Sequence, residues 1–259
     1  MADSSRGGTR GVEPRDSNAI RHPEMAAGGY ASNNGTVEFY QRVVAVLPQD
    51  GVVLDLGAGR GSDFEGDHGA WHHWLIQLGK RHSCRIGADI DPIVQTHAYL
   101  DQAVVIEAGQ PLPFPDQSFD LVLCDWVLEH VDDPNQFVAE IRRVLKVGGW
   151  FCARTPNRWS YFSVGARLLK SRLGNRLLRL LQAHRPETDK FPKYYRLNTL
   201  GAIHQYLPAT LWTNATYTHN PDPGYAGNSS AFYHLIELYQ RLIPKTLGTV
   251  ILIFARRLG

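Results

Sequence analysis

The sequence predicts an α/β fold in which helices cover both faces of a mostly parallel sheet. Short apolar segments alternate with helical segments along the chain, and each apolar segment is nearly continuous. Strands of parallel sheets have this pattern, because the helices of βαβ units bury both of their faces. Three of the apolar segments also run directly into an acidic residue, namely Asp89, Glu107 and Asp125.

The composition is that of a globular protein. Of the 259 residues, 43% are hydrophobic, which excludes a disordered, collagen-like or coiled-coil chain. The formal net charge of +2 is too small for a general nucleic-acid binder. The three cysteines have no C-x-x-C spacing, no apolar run is long enough to span a bilayer, and the N-terminus has no signal-peptide pattern. We therefore expect a cytoplasmic protein that does not bind nucleic acid.

Residues 1–29 are expected to form a flexible tail, followed by one domain over residues 30–259. The tail is rich in Gly, Ser, Arg and Pro and has few large aliphatic residues. Such a segment buries too little apolar surface to offset the entropy of ordering it. Order is expected to begin near Tyr30, before a helix that Thr36 caps and that ends at Pro48.

The other elements follow in alternation. The first five strands are expected at the apolar segments 52–56, 85–88, 104–106, 119–124 and 150–153. Asp133 and Pro134 are a cap and a first helical residue, and they open a helix before the fifth strand. The C-terminal part is expected to hold a helix from Asn198, a strand near 211–218, a helix near 231–242 and a last strand at 249–255.

A glycine-rich segment, Asp55-Leu-Gly-Ala-Gly-Arg-Gly61, lies where the first strand turns into a helix. Glycines there let the backbone approach a ligand closely. The dinucleotide fingerprint would need a third glycine at position 62, which is Ser62, so an NAD-dependent oxidoreductase is disfavoured. A carboxylate at Asp55 suits a ligand with an ammonium group, and Asp89 can accept both hydroxyls of a ribose. A glycine turn with two capping carboxylates is the structural alternative.

Five motifs in this order resemble those of class I S-adenosylmethionine-dependent methyltransferases of the small-molecule branch, with a methyltransferase type 11-like domain. They are D-L-G-A-G-R-G at 55–61, G-A-D-I-D-P at 87–92, L-P-F-P-D-Q-S-F-D-L-V-L at 112–123, V-L-E-H-V at 127–131 and E-I-R-R-V-L-K-V-G-G at 140–149. The resemblance is strong over residues 50–155. It implies a Rossmann-like sheet of seven strands, with the last strand antiparallel, and S-adenosylmethionine as the cofactor.

The resemblance also implies roles for residues at matching positions. Asp55 would lie near the amino group of the cofactor, and Asp89 would bind its ribose hydroxyls. Ala108 stands where the family often has an acidic residue facing the adenine, and Glu107 precedes it. The cofactor-binding residues implied are Asp55, Gly57, Ala58, Gly59, Asp89, Ile90, Glu107, Ala108, Asp125 and Trp126.

Methyl transfer to a hydroxyl needs a group that accepts its proton. His130 follows the fourth strand and is the candidate catalytic base, whereas a bond within the turn 129–133 is its structural alternative. No metal is expected, because Trp126 stands where some related enzymes have a metal-binding carboxylate. A second group of possible metal-binding side chains follows the glycine loop, and it is expected to face solvent without binding a metal. Its members are Asp63, Glu65, Asp67, His68, His72 and His73.

An insertion at residues 156–196 follows the fifth strand and so emerges where ligands bind in such sheets. Residues 151–185 contain eight Lys or Arg residues and no acidic one, with leucines near helical spacing. Such a helix suits an anionic membrane surface or an anionic substrate, or it packs its leucines on the core. We expect a helical lid over the acceptor. The predicted acceptor-binding residues are Tyr30, Asn157, Tyr194, Tyr195 and Arg196.

The leading hypothesis is an enzyme that transfers a methyl group from S-adenosylmethionine to an oxygen of a small molecule. The acceptor would be a glycan, a lipid-linked molecule or a specialised metabolite, anionic in character, reached in the cytoplasm or at a membrane surface. N-methylation of a small molecule is the close alternative, and a cofactor-binding module without turnover is the alternative from another class. The chain lacks an N-P-P-Y-type tetrad, which by resemblance argues against methylation of nucleic-acid bases.

Overall fold

The computed structural model describes residues 21–61, 70–161, 163–164, 191–223 and 230–259. The strands in this part of the chain are β1 (Gly51–Leu56), β2 (His82–Asp89), β3 (Gln102–Val105), β4 (Phe119–Asp125), β5 (Leu145–Pro156), β6 (Trp212–Asn214), β7 (Tyr217–His219) and β8 (Val250–Arg257). The α-helices are α1 (Gly35–Val46), α2 (Ala70–Ile76), α3 (Pro134–Val144), α4 (Leu200–Tyr206) and α5 (Ser230–Leu242).

All eight of these strands form one sheet with the order β3-β2-β1-β4-β5-β8-β6, in which β7 also pairs with β8. The first five strands run parallel, and β8 lies antiparallel between β5 and β6. From β1 the chain builds the sheet first toward β3 and then, after crossing over, toward β5. This reversal opens a crevice at the carboxyl ends of β1 and β4, where ligands bind in such sheets. The predicted α/β fold and its antiparallel last strand are confirmed.

The sheet has eight strands because the strand predicted near residues 211–218 is two short ones. β6 and β7 both pair with β8, but not with each other. The side chain of Asn214 accepts hydrogen bonds from the main-chain N and the hydroxyl of Thr216. Such a local turn competes with the strand ladder and breaks the predicted strand in two.

Two apolar layers cover the sheet. One contains Phe39 and Val43 of α1 with Leu75 of α2, and the other contains Ile141 of α3 with Ile203 of α4. Successive strand residues contribute to opposite layers, since side chains of a strand alternate in direction. Burial of both faces explains why the strands read as continuous apolar segments.

The start of α1 differs from the prediction. Asn34 is the cap, because its Oδ1 accepts hydrogen bonds from the main-chain N of Thr36 and Val37 at 3.0 and 2.9 Å. The prediction that Thr36 caps this helix was therefore wrong. The Thr36 hydroxyl instead accepts a hydrogen bond from Nη1 of Arg154 at 2.9 Å, which ties α1 to the end of β5.

Two predicted segments lie partly outside the described residues. Of the tail, residues 21–29 are described, and Pro23–Ala26 form a single 3-10 turn. Of the insertion, residues 156–161, 163–164 and 191–196 are described, so the predicted basic helix lies outside them. In the described ranges, no helix is both long and apolar enough to cross a bilayer.

Candidate active site

Polar side chains gather at the carboxyl edge of the sheet, where its strand order reverses. β1 runs into the glycine loop, residues 57–61, and β2 ends at Asp89. β4 ends at Asp125, and β5 ends at Pro156. Because parallel strands end on the same edge, these segments lie side by side although they are distant in sequence.

The glycine loop requires its glycines. Gly57, Gly59 and Gly61 have φ angles of 81°, 57° and 78°, in the left-handed region that disfavours side chains. A Cβ on Gly57 would clash with the side chain of Val127, whereas a Cβ on Gly59 would meet no atom within 4 Å. The loop therefore packs tightly against the segment after β4 and leaves open space at Gly59.

Asp89 fixes this loop from the end of β2. Its Oδ2 accepts a hydrogen bond from the main-chain N of Gly59 at 2.8 Å, and Oδ1 accepts one from the N of Asp91 at 2.9 Å. A carboxylate has about four acceptor positions, so positions remain for ligand hydroxyls. Ile90 follows directly, and Glu107 and Ala108 follow β3; all three are exposed. These predicted cofactor residues thus occupy adjoining strand ends.

Asp55 has a partner that the motif did not reveal. Arg85 of β2 donates hydrogen bonds to Oδ2 of Asp55 from Nη2 at 2.5 Å and from Nε at 3.1 Å. Both side chains are almost fully buried, and Nη1 of Arg85 also donates to the carbonyl of Ile76 at 2.9 Å. A ligand ammonium at this position would share the carboxylate with Arg85.

His97 packs against the glycine loop and was not among the predicted site residues. A Cβ on Gly61 would lie 2.7 Å from Nε2 of His97. Nδ1 accepts a hydrogen bond from the main-chain N of Tyr99 at 3.1 Å, so the proton of the neutral ring is on Nε2. Burial lowers the pKa of His97, an effect that Asp55 opposes and Arg85 reinforces. No sequence motif around His97 predicts its contact with the glycine loop, because it is a single histidine after a 3-10 turn.

The carboxylate of Asp125 is engaged on both oxygens. Arg154 of β5 donates to Oδ1 from Nε and to Oδ2 from Nη2, each at 2.6 Å. Tyr40 of α1 donates its hydroxyl to Oδ2 at 3.1 Å. Burial raises the pKa of Tyr40, and Asp125 acts in the same direction, so this hydroxyl stays a donor. A two-point guanidinium pair of this kind holds both side chains in one geometry.

Trp126, the next residue, has a strained backbone. Its φ is 58°, a left-handed conformation that costs a residue with a Cβ roughly 1–2 kcal/mol. Its main-chain N donates to the carbonyl of Arg154 at 2.9 Å, and the Arg154 guanidinium lies 5.2 Å from the centroid of the indole. Trp126 as a whole remains 40% exposed. A large aromatic surface is thus held open at the edge of the sheet.

His130 lies in a short 3-10 turn, Leu128–His130. Its Nδ1 is 2.7 Å from the carbonyl oxygen of Pro192. A carbonyl oxygen only accepts hydrogen bonds, so Nδ1 carries a proton and the lone pair of the neutral ring is on Nε2. The ring of Phe191 packs edge-on against the imidazole, with 6.0 Å between the centroids. The partner of His130 thus lies outside the turn 129–133, in the segment that returns from the insertion.

A buried polar chain joins this returning segment to the sheet. Thr155 donates its hydroxyl to Oε2 of Glu129 at 3.1 Å and accepts a hydrogen bond from Nδ2 of Asn198 at 2.6 Å. The carbonyl of Glu129 also accepts hydrogen bonds from the main-chain N of Tyr194 and Tyr195, at 2.8 and 3.2 Å. The two predicted acceptor tyrosines are therefore anchored to the turn that carries His130.

The other predicted acceptor residues have separate surroundings. Arg196 forms an exposed ion pair with Asp132 at 2.7 Å, and Tyr30 is half-buried against the apolar layer of α1. Asn157 is only 1% exposed. Its amide donates to the carbonyls of two residues before β8 and accepts from the main-chain N of Trp159. The structure thus gives the Asn157 side chain a structural role.

Among the described residues, no group of three or more His, Cys, Asp or Glu side chains could hold a metal ion. Of the predicted second group, His72 and His73 lie on α2, and the four other members lie outside the described residues: Asp63, Glu65, Asp67 and His68. His72 is buried, so the expectation that it faces solvent was wrong. Cys124 is a buried thiol on β4.

The matches to known proteins cover the part of the chain that forms this edge of the sheet. The family model described as "Methyltransferase domain" matches residues 54–153. A relative from Mycolicibacterium smegmatis, named a probable S-adenosylmethionine-dependent methyltransferase, is 50% identical over 79 residues, which are 29% of this chain and 31% of the relative. These matches confirm the resemblance drawn from the five motifs.

Two further relatives are named for their reactions. The ubiquinone biosynthesis O-methyltransferase of Pasteurella multocida is 28% identical over 156 residues, which are 54% of this chain and 59% of that protein. The ubiquinone/menaquinone biosynthesis C-methyltransferase of Xanthomonas campestris pv. campestris is 32% identical over 117 residues, which are 43% of this chain and 44% of that protein. The chain thus spans between about a third and three fifths of these curated relatives.

A solved structure extends the likeness in fold. The S-adenosylmethionine-dependent methyltransferase of Mesorhizobium loti superposes with a TM-score of 0.52 at 18% identity. The superposition covers 86% of this chain and 100% of that one. At this identity the comparison shows a similar fold and nothing further.

Proposed function

We propose that this chain, which carries a class I S-adenosylmethionine-dependent methyltransferase domain over residues 54–153, transfers a methyl group to an oxygen of a small-molecule acceptor. The proposal that the methyl group goes to an oxygen rests on the hydrogen bond from Nδ1 of His130 to the carbonyl of Pro192. It leaves Nε2 of the neutral ring as a proton acceptor.

The residues at the carboxyl edge fit the cofactor. Open space lies at Gly59, and the carboxylates of Asp55 and Asp89 are acceptors for an ammonium group and for ribose hydroxyls. S-adenosylmethionine supplies a methyl group on a positively charged sulfur, and the carbon–sulfur bond breaks as the new bond to oxygen forms. In this proposal the glycine loop binds and orients the cofactor, while the turn after β4 borders the methyl-bearing end of the cofactor.

The role of His130 follows from the proton balance. A hydroxyl oxygen loses its proton when it is methylated, and Nε2 of His130 receives that proton. The carbonyl of Pro192 keeps the ring in the required tautomer and orientation. A neutral amine is nucleophilic without first losing a proton, so N-methylation depends less on a base at this position. The relatives named for O- and for C-methylation support a small-molecule acceptor without deciding the atom.

We further infer an anionic or lipid-linked acceptor, reached in the cytoplasm or at a membrane surface. Support comes from the eight Lys or Arg residues and the lack of acidic ones over residues 151–185. Such a composition attracts phosphate, carboxylate and anionic lipid headgroups. Phosphorylated hydroxyl compounds should therefore be better acceptors than their unphosphorylated forms.

A paired acceptor panel tests the choice of oxygen. Hydroxyl compounds and amines of the same carbon skeleton are incubated with methyl-labelled S-adenosylmethionine and the full chain. We expect product from the hydroxyl members, and we expect His130→Ala to lower kcat by about 10²–10⁴-fold. Methylation of the amines alone, at the same rate in His130→Ala, would refute the proposal.

A further inference from the structure

We propose that Trp126 is the platform on which the acceptor stacks, and that the acceptor is an aromatic ring carrying the hydroxyl that is methylated. This inference rests on the function proposed above and names its substrate class.

Trp126 directly precedes the turn that connects the cofactor loop to the base. Its neighbour Val127 packs against Gly57 so closely that a Cβ on the glycine would clash. The main-chain N of His130 donates to the carbonyl of Val127 at 2.9 Å. One short turn therefore borders the glycine loop at its first residue and carries the proton acceptor at its last.

The stability of the fold does not explain the conformation of Trp126. The left-handed backbone at φ 58° favours glycine, and a tryptophan is normally buried rather than 40% exposed. Residues held in such conformations concentrate at ligand sites, where the surrounding structure enforces them. Trp126 has this conformation directly after Asp125, the last residue of the central strand β4.

Arg154 holds the indole in place from one side. Its guanidinium lies 5.2 Å from the ring centroid and is itself fixed by two hydrogen bonds to Asp125 and one to the hydroxyl of Thr36. Arg154 is almost fully buried, whereas Trp126 is 40% exposed. A rigid, flat apolar surface of this kind suits a planar ring by offset stacking.

The base also suits an aromatic hydroxyl. A phenol such as the tyrosine side chain has a pKa of about 10, several units below that of water. Transfer of its proton to a neutral imidazole is therefore far less uphill than transfer from an aliphatic hydroxyl. Tyr194, which is bonded through its main chain to Glu129 in the same turn, offers a second aromatic surface.

The test uses three phenols of increasing size, each with its saturated counterpart. They are catechol and cyclohexane-1,2-diol, 4-hydroxybenzoate and 4-hydroxycyclohexanecarboxylate, and 2-naphthol and decahydro-2-naphthol. Release of S-adenosylhomocysteine by the full chain is measured with each. We expect at least one phenol to turn over, with a kcat/KM about 100-fold or more above its counterpart.

Variants at Trp126 identify the platform. For the active phenol, Trp126→Leu should lower kcat/KM about tenfold, mainly through KM, whereas Trp126→Phe should keep most of it. Trp71→Leu, an exposed tryptophan on α2, is the matched control and should leave kcat/KM unchanged. Trp71→Leu should also bind S-adenosylhomocysteine as the wild type does.

Three results would overturn the inference: equal turnover of phenols and saturated alcohols, an unchanged kcat/KM in Trp126→Leu, or no phenol turnover by a chain that binds S-adenosylhomocysteine. A chain that does not bind S-adenosylhomocysteine would instead contradict the proposed function. Calorimetry on the same preparation separates these two failures.

Discussion

His130 donates a hydrogen bond from Nδ1 to the carbonyl oxygen of Pro192 over 2.7 Å, across 62 residues of sequence. The segment that returns from the insertion therefore determines the tautomer of the histidine that follows β4. The part of the chain expected to choose the acceptor is thus in direct contact with the part that accepts its proton.

The tautomer can be observed directly. In ¹⁵N NMR spectra at neutral pH, we expect the proton of the neutral His130 ring on Nδ1, because the Pro192 carbonyl only accepts. His130→Gln identifies the signals of this ring. A proton found on Nε2 instead would contradict the assignment of His130 as the base.

The Asp125–Arg154 pair should contribute strongly to stability. Both side chains are almost buried, and Arg154→Met would leave the Asp125 carboxylate without its counter-charge. We expect urea unfolding to show a loss of about 3–5 kcal/mol in the free energy of unfolding. Arg196→Met breaks an exposed pair and should cost at most about 1 kcal/mol. Equal losses in the two variants would show that burial of the pair does not matter.

The strain at Trp126 predicts an inverted preference between alanine and glycine. Both Trp126→Ala and Trp126→Gly remove the indole, but only alanine keeps the steric cost of a left-handed backbone. The glycine variant should be more stable than the alanine variant by about 1 kcal/mol in urea unfolding.

The control for this comparison is an exposed position in a helix. Ala139→Gly in α3 should destabilise the protein by about 0.5–1 kcal/mol. At this position alanine is therefore expected to be more stable than glycine, as is usual in helices. If glycine were the less stable residue at position 126 as well, the backbone there would not be strained.

The five parallel strands, the antiparallel last strand and the glycine loop could be predicted because their signals are local. Continuous apolar segments and glycines between a strand and a helix identify themselves within a few residues. The partners Asp55–Arg85 and Asp125–Arg154 could not be predicted, since they are 30 and 29 residues apart and meet through the register of neighbouring strands. The split between β6 and β7 was missed because it depends on one side-chain turn at Asn214.

His97 makes stability depend on pH. Burial lowers its pKa in the folded state below the unfolded value of about 6.5, so folding favours the neutral ring. The resulting stabilisation is present above pH 6.5 and is lost as the pH falls through the lower, folded-state pKa. His97→Asn should therefore lose less free energy of unfolding than the wild type between pH 7 and pH 5.

The exposed His204 of α4 provides the control for that measurement. His204→Asn should keep the pH dependence of the wild type, because its ring is not buried. If His97→Asn and His204→Asn behaved alike, burial of His97 would not account for any of the acid sensitivity.

Calorimetric titration with S-adenosylhomocysteine shows directly whether the chain binds the methyltransferase cofactor. We expect one binding event in the wild type, no binding of NAD, and affinity at least about tenfold weaker in Asp89→Ala, which loses the carboxylate at the glycine loop. Asp91→Ala removes only the cap of the next turn and should bind as the wild type does. Binding of NAD without S-adenosylhomocysteine, or an unchanged affinity in folded Asp89→Ala, would contradict the account.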